Sequence, residues 1–596
     1  SVGACSLCHN STASNNTALG LCALHENTTG TGNVAVGVTA LEKNTEGTQN
    51  VAVGLNALKT NTTGTCNVAI GYQALNNSTT SSANVAIGKN ALVSNTTGTE
   101  NVAVGNLALD SNTTAGCNTS IGSGSMGANL TGGNNVAVGR CALGSNTTGD
   151  SNTAVGRGAL VLNTTAGANT AVGMFSLDAT TTGGCNTAVG QASLGANTTG
   201  VNNTAVGREA LTKNTTGQQN TAVGVNTMQC NTTGQYNSAF GFQAMNRITD
   251  SEGNTGIGYQ SLYTNTTGDA NTAVGRDALV SNTTASNNTA VGKDSLKANT
   301  TGLRNTAVGN QSSDANTTGQ CNVSIGHASF STNTTGNNNI AIGADAMFSS
   351  TTSSENTAVG KSALALNTTG SANTAVGLNA LLDSTTSANN TAVGVEALQN
   401  VTTGTGSNVG VGRSSGEGLT TGCFNTMIGF QAGTSSTTPE GNTFIGKAAG
   451  CNAVNGNNNT ALGINAGIDA VKNMTGSDNH NIVIGNNGNT HAYIKIDWTV
   501  TSDLRDKTNI EDVPHGLNFI NQITPIKYDF KTSREDDTPH GTKKYGFKAQ
   551  EILALEGDNP VIIDNHDLEN LKITGGHLIP VLVNAIKELK AEIELL

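Results

Sequence analysis

Asn33-Val-Ala-Val-Gly37 is followed by Asn50-Val-Ala-Val-Gly54 and then by Asn67-Val-Ala-Ile-Gly71. The step is 17 residues. It holds for 22 periods from Asn16 to Asn390, slips by one residue to Asn408, and resumes at Asn425, Asn442 and Asn459. A last copy, Asn481-Ile-Val-Ile-Gly485, comes after a 22-residue gap. The typical unit reads N-T/V-A-V/I-G-x-x-A-L-x-x-N-T-T-G-x-x. Self-similarity at a fixed period is the mark of a stacked repeat.

Within N-T-A-V-G, the second and fourth positions share one strand face, because side chains alternate. They are Thr or Val and then Val or Ile, β-branched residues that suit extended chain. The Gly that follows permits a tight bend. A-L is a second short apolar pair, and N-T-T-G is a polar turn in which Asn bonds nearby backbone and Gly takes positive φ. Each unit therefore predicts one coil with two short strands and two corners. One coil cannot bury its apolar face alone. Stacked coils can, and equivalent residues then lie ~4.8 Å apart. The expected fold of residues 1–485 is an all-β shaft, a parallel β-solenoid or β-roll of 17-residue coils. Asn over Asn would form an amide ladder, and Val over Val a thin continuous core. About 28 coils would make a rod on the order of 130 Å long. Two or three glycines per unit and the many β-branched residues argue against a helical repeat.

Composition narrows the class further. The 596 residues include 75 Gly, with 11% charged and 3% aromatic residues and a net charge of −12. No G-X-Y period makes it a collagen, and no basic stripe suits nucleic acid. No run of about 18 apolar residues predicts a membrane-spanning helix. The chain begins in mid-repeat at Ser1, with neither Met nor signal peptide, which predicts a processed N-terminus or further coils upstream. Cys5-Ser-Leu-Cys8-His9 matches the CxxCH of c-type haem attachment. In the repeat frame Ser6-Leu7 fill the A-L slots and both cysteines fall in variable slots, so a repeat bearing two cysteines is the simpler reading. No second CxxC or HxxxH accompanies it to hold zinc. No metal or cofactor is expected.

Cys66, Cys117, Cys185 and Cys321 each precede an Asn anchor, 51, 68 and 136 residues apart. Three coils is roughly 14 Å, beyond the ~7 Å Cα limit of a disulfide, so these do not pair within the chain. Cys5 and Cys8 are left to pair locally or between chains. Asn-Thr-Thr triplets match the N-glycosylation acceptor many times over, but the turn ladder already explains both residue types.

The N-x-A-x-G box resembles the head repeats of trimeric autotransporter adhesins, which form left-handed parallel β-rolls in a homotrimer. Those repeats are usually shorter, and no C-terminal membrane barrel like that family's is expected here. The resemblance covers residues 1–485.

After Gly485 charges, aromatics and the single Trp498 appear. Residues 486–501 read as a junction, with Tyr493–Trp498 alternating as a strand. Then comes Thr501-Ser-Asp-Leu-Arg-Asp-Lys-Thr-Asn-Ile510, followed by Pro525-Ile-Lys-Tyr528, Tyr545-Gly-Phe-Lys-Ala-Gln-Glu551 and a helix from Leu578-Ile-Pro580. These four motifs, in this order, resemble the endosialidase-type intramolecular chaperone domain that caps phage tail spikes, tail fibres and other fibrous proteins. The resemblance implies a small α+β domain over residues 502–596 that trimerises the fibre and then cuts itself off. It implies Ser502 as nucleophile on the Thr501–Ser502 bond, Lys507 as general base, and Asp503, Arg505 and Asn509 as supporting residues. A serine hydroxyl needs a base beside it, and a lysine serves when desolvation lowers its pKa. The plainer alternative is a Ser-Asp helix cap with a solvated Lys. Independently of the resemblance, Leu582, Ile586, Leu589, Ile593 and Leu596 are spaced 4, 3, 4, 3, a coiled-coil seam.

Two functions fit. One is a trimeric viral tail fibre or surface adhesin for attachment, extracellular or on a virion, whose C-terminal domain directs trimerisation and self-cleavage. Its partners would be other copies of itself, with a host receptor or glycan as an open second partner, contacted through the least regular coils, about residues 396–485. The other is a purely structural filament with no receptor. No carboxylate pair recurs in a fixed slot, and neither an H-E-x-x-H nor a Ca²⁺ nonapeptide occurs, so no enzyme on external substrates is expected.

Overall fold

The computed structural model describes residues 1–469, 471–489, 491–495, 502–531, 534–558, 560–566 and 568–596. The chain divides into two compact units, Ser1–Glu396 with Thr402–Thr405, and Ala397–Val401 with Gly406–Leu596. The first unit is a parallel β-solenoid. Its three-residue strands run from β1, Thr17–Leu19, to β23, Thr391–Val393. Each pairs with the next in parallel at a 17-residue offset, as Val34 with Val51 and Thr170 with Thr187. The second unit repeats this pattern from β24 (Val409–Val411) to β27 (Thr460–Leu462), and β27 then pairs with β28 (Ile482–Ile484) at a 22-residue offset.

The strands face the opposite way from the expectation. The inward residue is the alanine: Ala35, Ala52 and Ala69 are fully buried, while the Val and Ile on either side point outward and are half-covered. The interior of a 17-residue coil is narrow, and the opposite corner fills it with Leu41, Leu58 and Leu75, all fully buried. Alanine leaves room for that leucine. The β-branched residues keep the strand extended from outside, shielded by like neighbours in the coils above and below.

The corner leucines have left-handed backbone, with φ of 51° at Leu24 and Leu41 and 50° at Leu58. That conformation costs an L-residue roughly 1–2 kcal/mol, whereas burying a leucine gains about 1.5–3 kcal/mol. Burial wins, and the side chain is turned into the core. Gly37 closes the strand at φ 138°, and a Cβ there would sit 2.5 Å from the Gly54 carbonyl oxygen of the next coil.

Two asparagine ladders run beside this core, and they differ. Asn50 Oδ1 accepts the Asn67 backbone N–H at 3.0 Å, while its Nδ2 donates to the Gly64 carbonyl at 2.9 Å. Asn44, in the turn, donates to Asn27 Oδ1 at 2.8 Å and to the Gly47 carbonyl at 3.0 Å. Both columns are fully buried at these positions. The turn asparagines are the ones in the Asn-Thr-Thr acceptor triplets, so stacked coils leave no room for a glycan on them.

In the second unit the bulk of the core moves from corner to strand. Met427 and Phe444 take the inward strand position, and Gly433 and Gly450 take the left-handed corner at φ 59° and 61°. A Cβ on Gly450 would lie 2.6 Å from the Phe444 ring. In these two coils the irregular composition is thus a volume exchange between corner and strand, while the last coil is lengthened.

The C-terminal region is α+β. It contains α1 (Leu517–Gln522), the antiparallel hairpin of β29 (Ile526–Lys531) and β30 (Pro539–Gly546), and α2 (Ala549–Glu556). A two-residue pair, β31 (Ile563–Asp564) and β32 (Lys572–Ile573), leads to α3 (Leu578–Glu594). Phe519, Ile523, Ile552, Ile562, Ile563, Leu578 and Val581 form its core. Residues 491–495 form no strand, and the remainder of the expected junction strand, Ile496 to Trp498, lies outside the described residues.

Candidate functional site

The site is built on one turn of 3-10 helix, Leu504–Asp506. Asp503 caps it: its Oδ1 accepts the Arg505 backbone N–H at 2.9 Å. Arg505 folds back over the same carboxylate, with Nε 3.1 Å from each oxygen and Nη2 2.5 Å from Oδ2. The Arg505 side chain, then its backbone N–H, hold the Asp503 carboxyl below the usual carboxylate range. The turn ends as Lys507 N–H donates to the Leu504 carbonyl at 3.2 Å.

This closed turn brings residues five apart in sequence together. Lys507 Nζ donates to Ser502 Oγ at 2.9 Å. The expected nucleophile and base are therefore in direct contact, and Asp503 and Arg505 shape the turn between them. The cap of this turn is Asp503 rather than Ser502. Asn509 takes left-handed backbone at φ 51° and bonds Thr508 at 3.5 Å. Among the described residues no bond from Asn509 to Ser502 or Lys507 is present. Thr501 lies outside the described residues. Ser502 and Lys507 are both solvent-exposed.

The other motifs are spread through the fold. Ile526-Lys-Tyr528 begins β29, Tyr545-Gly546 ends β30, and Ala549-Gln-Glu551 begins α2. Helix α3 has two apolar faces. Leu578, Val581 and Ala585 are buried against the domain. On the same side Glu588 accepts the Leu517 N–H at 2.6 Å, and Asn584 donates to the His515 carbonyl at 3.0 Å. The expected seam residues Leu582, Ile586, Leu589 and Ile593 lie on the other side, with Ile586 65% exposed against 3% for Val581. The sequence pointed to the exposed apolar spacing of this helix but not to Asn584 and Glu588. Their signal was slight, polar residues at i and i+4 beside the buried stripe.

The fold and this turn define a class: a parallel β-solenoid carrying a small α+β module that opens on a Ser–Lys pair. Residues 502–559 match the family described as the chaperone of endosialidase. The stretch similar to that family is thus confined to the C-terminal region, behind a β-solenoid. No curated protein and no solved structure matches it. Among the described residues no helix is long and apolar enough to cross a membrane.

Proposed function

We propose that the chain is the subunit of a homotrimeric attachment fibre, assembled by its C-terminal domain and processed at Thr501–Ser502. The carrying observation is the second apolar face of α3, exposed in the single chain and spaced as a coiled-coil seam. Two heptads are marginal alone, but α3 is already fixed to its domain by Val581, Asn584 and Glu588, so association need not pay for folding the helix. The outward column of the solenoid adds Ile70, Ile87 and Ile121, which offer a long apolar stripe for neighbouring shafts.

Processing follows from the dyad. Ser502 Oγ attacks the Thr501 carbonyl carbon and passes its proton to Lys507. The acyl group moves from the Ser502 nitrogen to its oxygen, and water hydrolyses the ester to free residues 1–501. A lysine acts as base where burial strips water from its ammonium. Lys507 is exposed in the single chain, so we assign that burial to neighbouring copies, which makes cleavage follow assembly. Attachment is assigned to the second unit's coils, where Phe424, Phe430 and Ile464 are exposed in a chain poor in aromatics. Phe424→Ala with Phe430→Ala is expected to reduce binding of the fibre to target cells without changing its assembly.

The test of processing is the denatured mass of the full chain. Wild type is expected to yield a product ending at Thr501, absent in Ser502→Ala. An intact wild-type chain at assembling concentration would remove the protease role and leave residues 502–596 as a permanent cap.

A further inference from the structure

We propose that Cys5 and Cys22 form a disulfide that staples two successive coils of the solenoid. The two residues hold the same corner position one repeat apart, and no other pair of the eleven cysteines does so in consecutive coils. Val2 bridges Leu19 in parallel, and the Cys22 N–H donates to the Ala4 carbonyl at 2.9 Å, so the coils are in register through this corner. In-register neighbours lie ~4.8 Å apart at Cα, within the ~4.4–6.8 Å span of a disulfide. Both residues have the same left-handed backbone, with φ of 55° and 54°, so their Cα–Cβ bonds run alike.

All three cysteines are free thiols, with Cys5 and Cys8 exposed and Cys22 partly covered. Cys8 sits in the same coil as Cys5, so a bond to it would close only a tight local ring. The bond to Cys22 closes a whole coil, and the constraint on the unfolded chain grows with loop length.

The chemistry needs a disulfide oxidant such as oxidised glutathione. The exposed Cys5, as thiolate, attacks one glutathione sulfur and expels the other glutathione as thiolate. The Cys22 thiolate then attacks the Cys5 sulfur of the mixed disulfide and expels the second glutathione. Two protein thiols lose two electrons and two protons, and one oxidant disulfide becomes two thiols. Partial desolvation and the neighbouring Cys5 hold the Cys22 thiol above the ordinary cysteine value, so the second step quickens as pH rises.

The full chain, treated with oxidised glutathione, is alkylated, denatured and digested with chymotrypsin. Cleavage after Leu7, Leu19, Leu21 and Leu24 separates the three cysteines. The expected product joins the Cys5 peptide to the Cys22 peptide, leaves Cys8 alkylated, and is released by dithiothreitol. Cys8→Ser is expected to keep the link and Cys22→Ser to abolish it. Oxidation is expected to slow amide exchange in residues 1–24 by about tenfold or more in wild type and Cys8→Ser alone. A Cys5–Cys8 link, or three alkylated cysteines after oxidation, would overturn the proposal.

Discussion

At the scale of single residues, the two asparagine columns show how much chemistry one side chain carries. The strand-entry column is Asn in every coil from Asn16 to Asn481, whereas the turn column admits Ser78, Thr180, Ile248 and Val401. The structure explains the difference. Asn271 Oδ1 accepts the backbone N–H of Asn288 at 3.0 Å, an obligatory donor, while Asn282 bonds only Asn265 Oδ1 at 2.9 Å, the Ala285 carbonyl at 3.0 Å and the Asn299 amide. Orphaning a buried backbone donor costs more than removing a matched side-chain pair. Asn271→Ala is expected to destabilise its coil by about 3 kcal/mol and Asn282→Ala by about 1 kcal/mol, read by hydrogen exchange across residues 254–300. Equal losses would refute this account of the ladders. Asp503 makes a pH prediction. Its folded carboxyl lies below the unfolded value because Arg505 bonds the charged form. That contribution is present above the ordinary aspartate range and is lost as pH falls through the depressed folded value. NMR titration should find the Asp503 carboxyl ionising below ordinary aspartates, and returning to them in Arg505→Ala.

At the scale of elements, the repeat fixed more than its period. The left-handed corner before the A-L pair excludes β-branched residues in every coil but that of Thr39, a signal readable from the sequence alone once coils are aligned. The strand's facing was legible less well. β-branched residues on both sides of an alanine suggest that the branched face is buried, and only the leucine across the coil decides otherwise. Alternation gives the two faces of a strand but not which is inside. Helix α3 was the reverse case, since its seam was visible in the 4-3 spacing while its anchoring face was not. The two faces predict opposite outcomes for one substitution. Val581→Asp places a charge in the core and is expected to unfold the C-terminal domain, at a cost above about 3 kcal/mol. Ile586→Asp is expected to keep native near-ultraviolet dichroism and to lose self-association. A domain that unfolds equally in both would show that the seam is simply core.

At the scale of the whole molecule, division of labour follows from composition. Beyond the cysteines of its first coils the shaft is built of alanine, leucine and asparagine ladders, and among the described residues no group of His, Cys, Asp or Glu is arranged to hold a metal. The Ser–Lys contact lies where the repeat ends, in a turn that sets Lys507 on Ser502. The motif made those two residues legible in sequence. Their exposure was not legible, and it is what ties processing to assembly in this account. Cleavage of the wild-type chain is accordingly expected to slow on dilution and to stop in Ile586→Asp, measured as the fraction ending at Thr501 over time. The central claim is that the C-terminal domain joins three chains. The most direct measurement is sedimentation equilibrium of the uncleaved Ser502→Ala chain, alone and with Ile586→Asp added. The first is expected at three times the 60.0 kDa chain mass and the second at the mass of a single chain. A monomer of Ser502→Ala, or a trimer that survives Ile586→Asp, would contradict it.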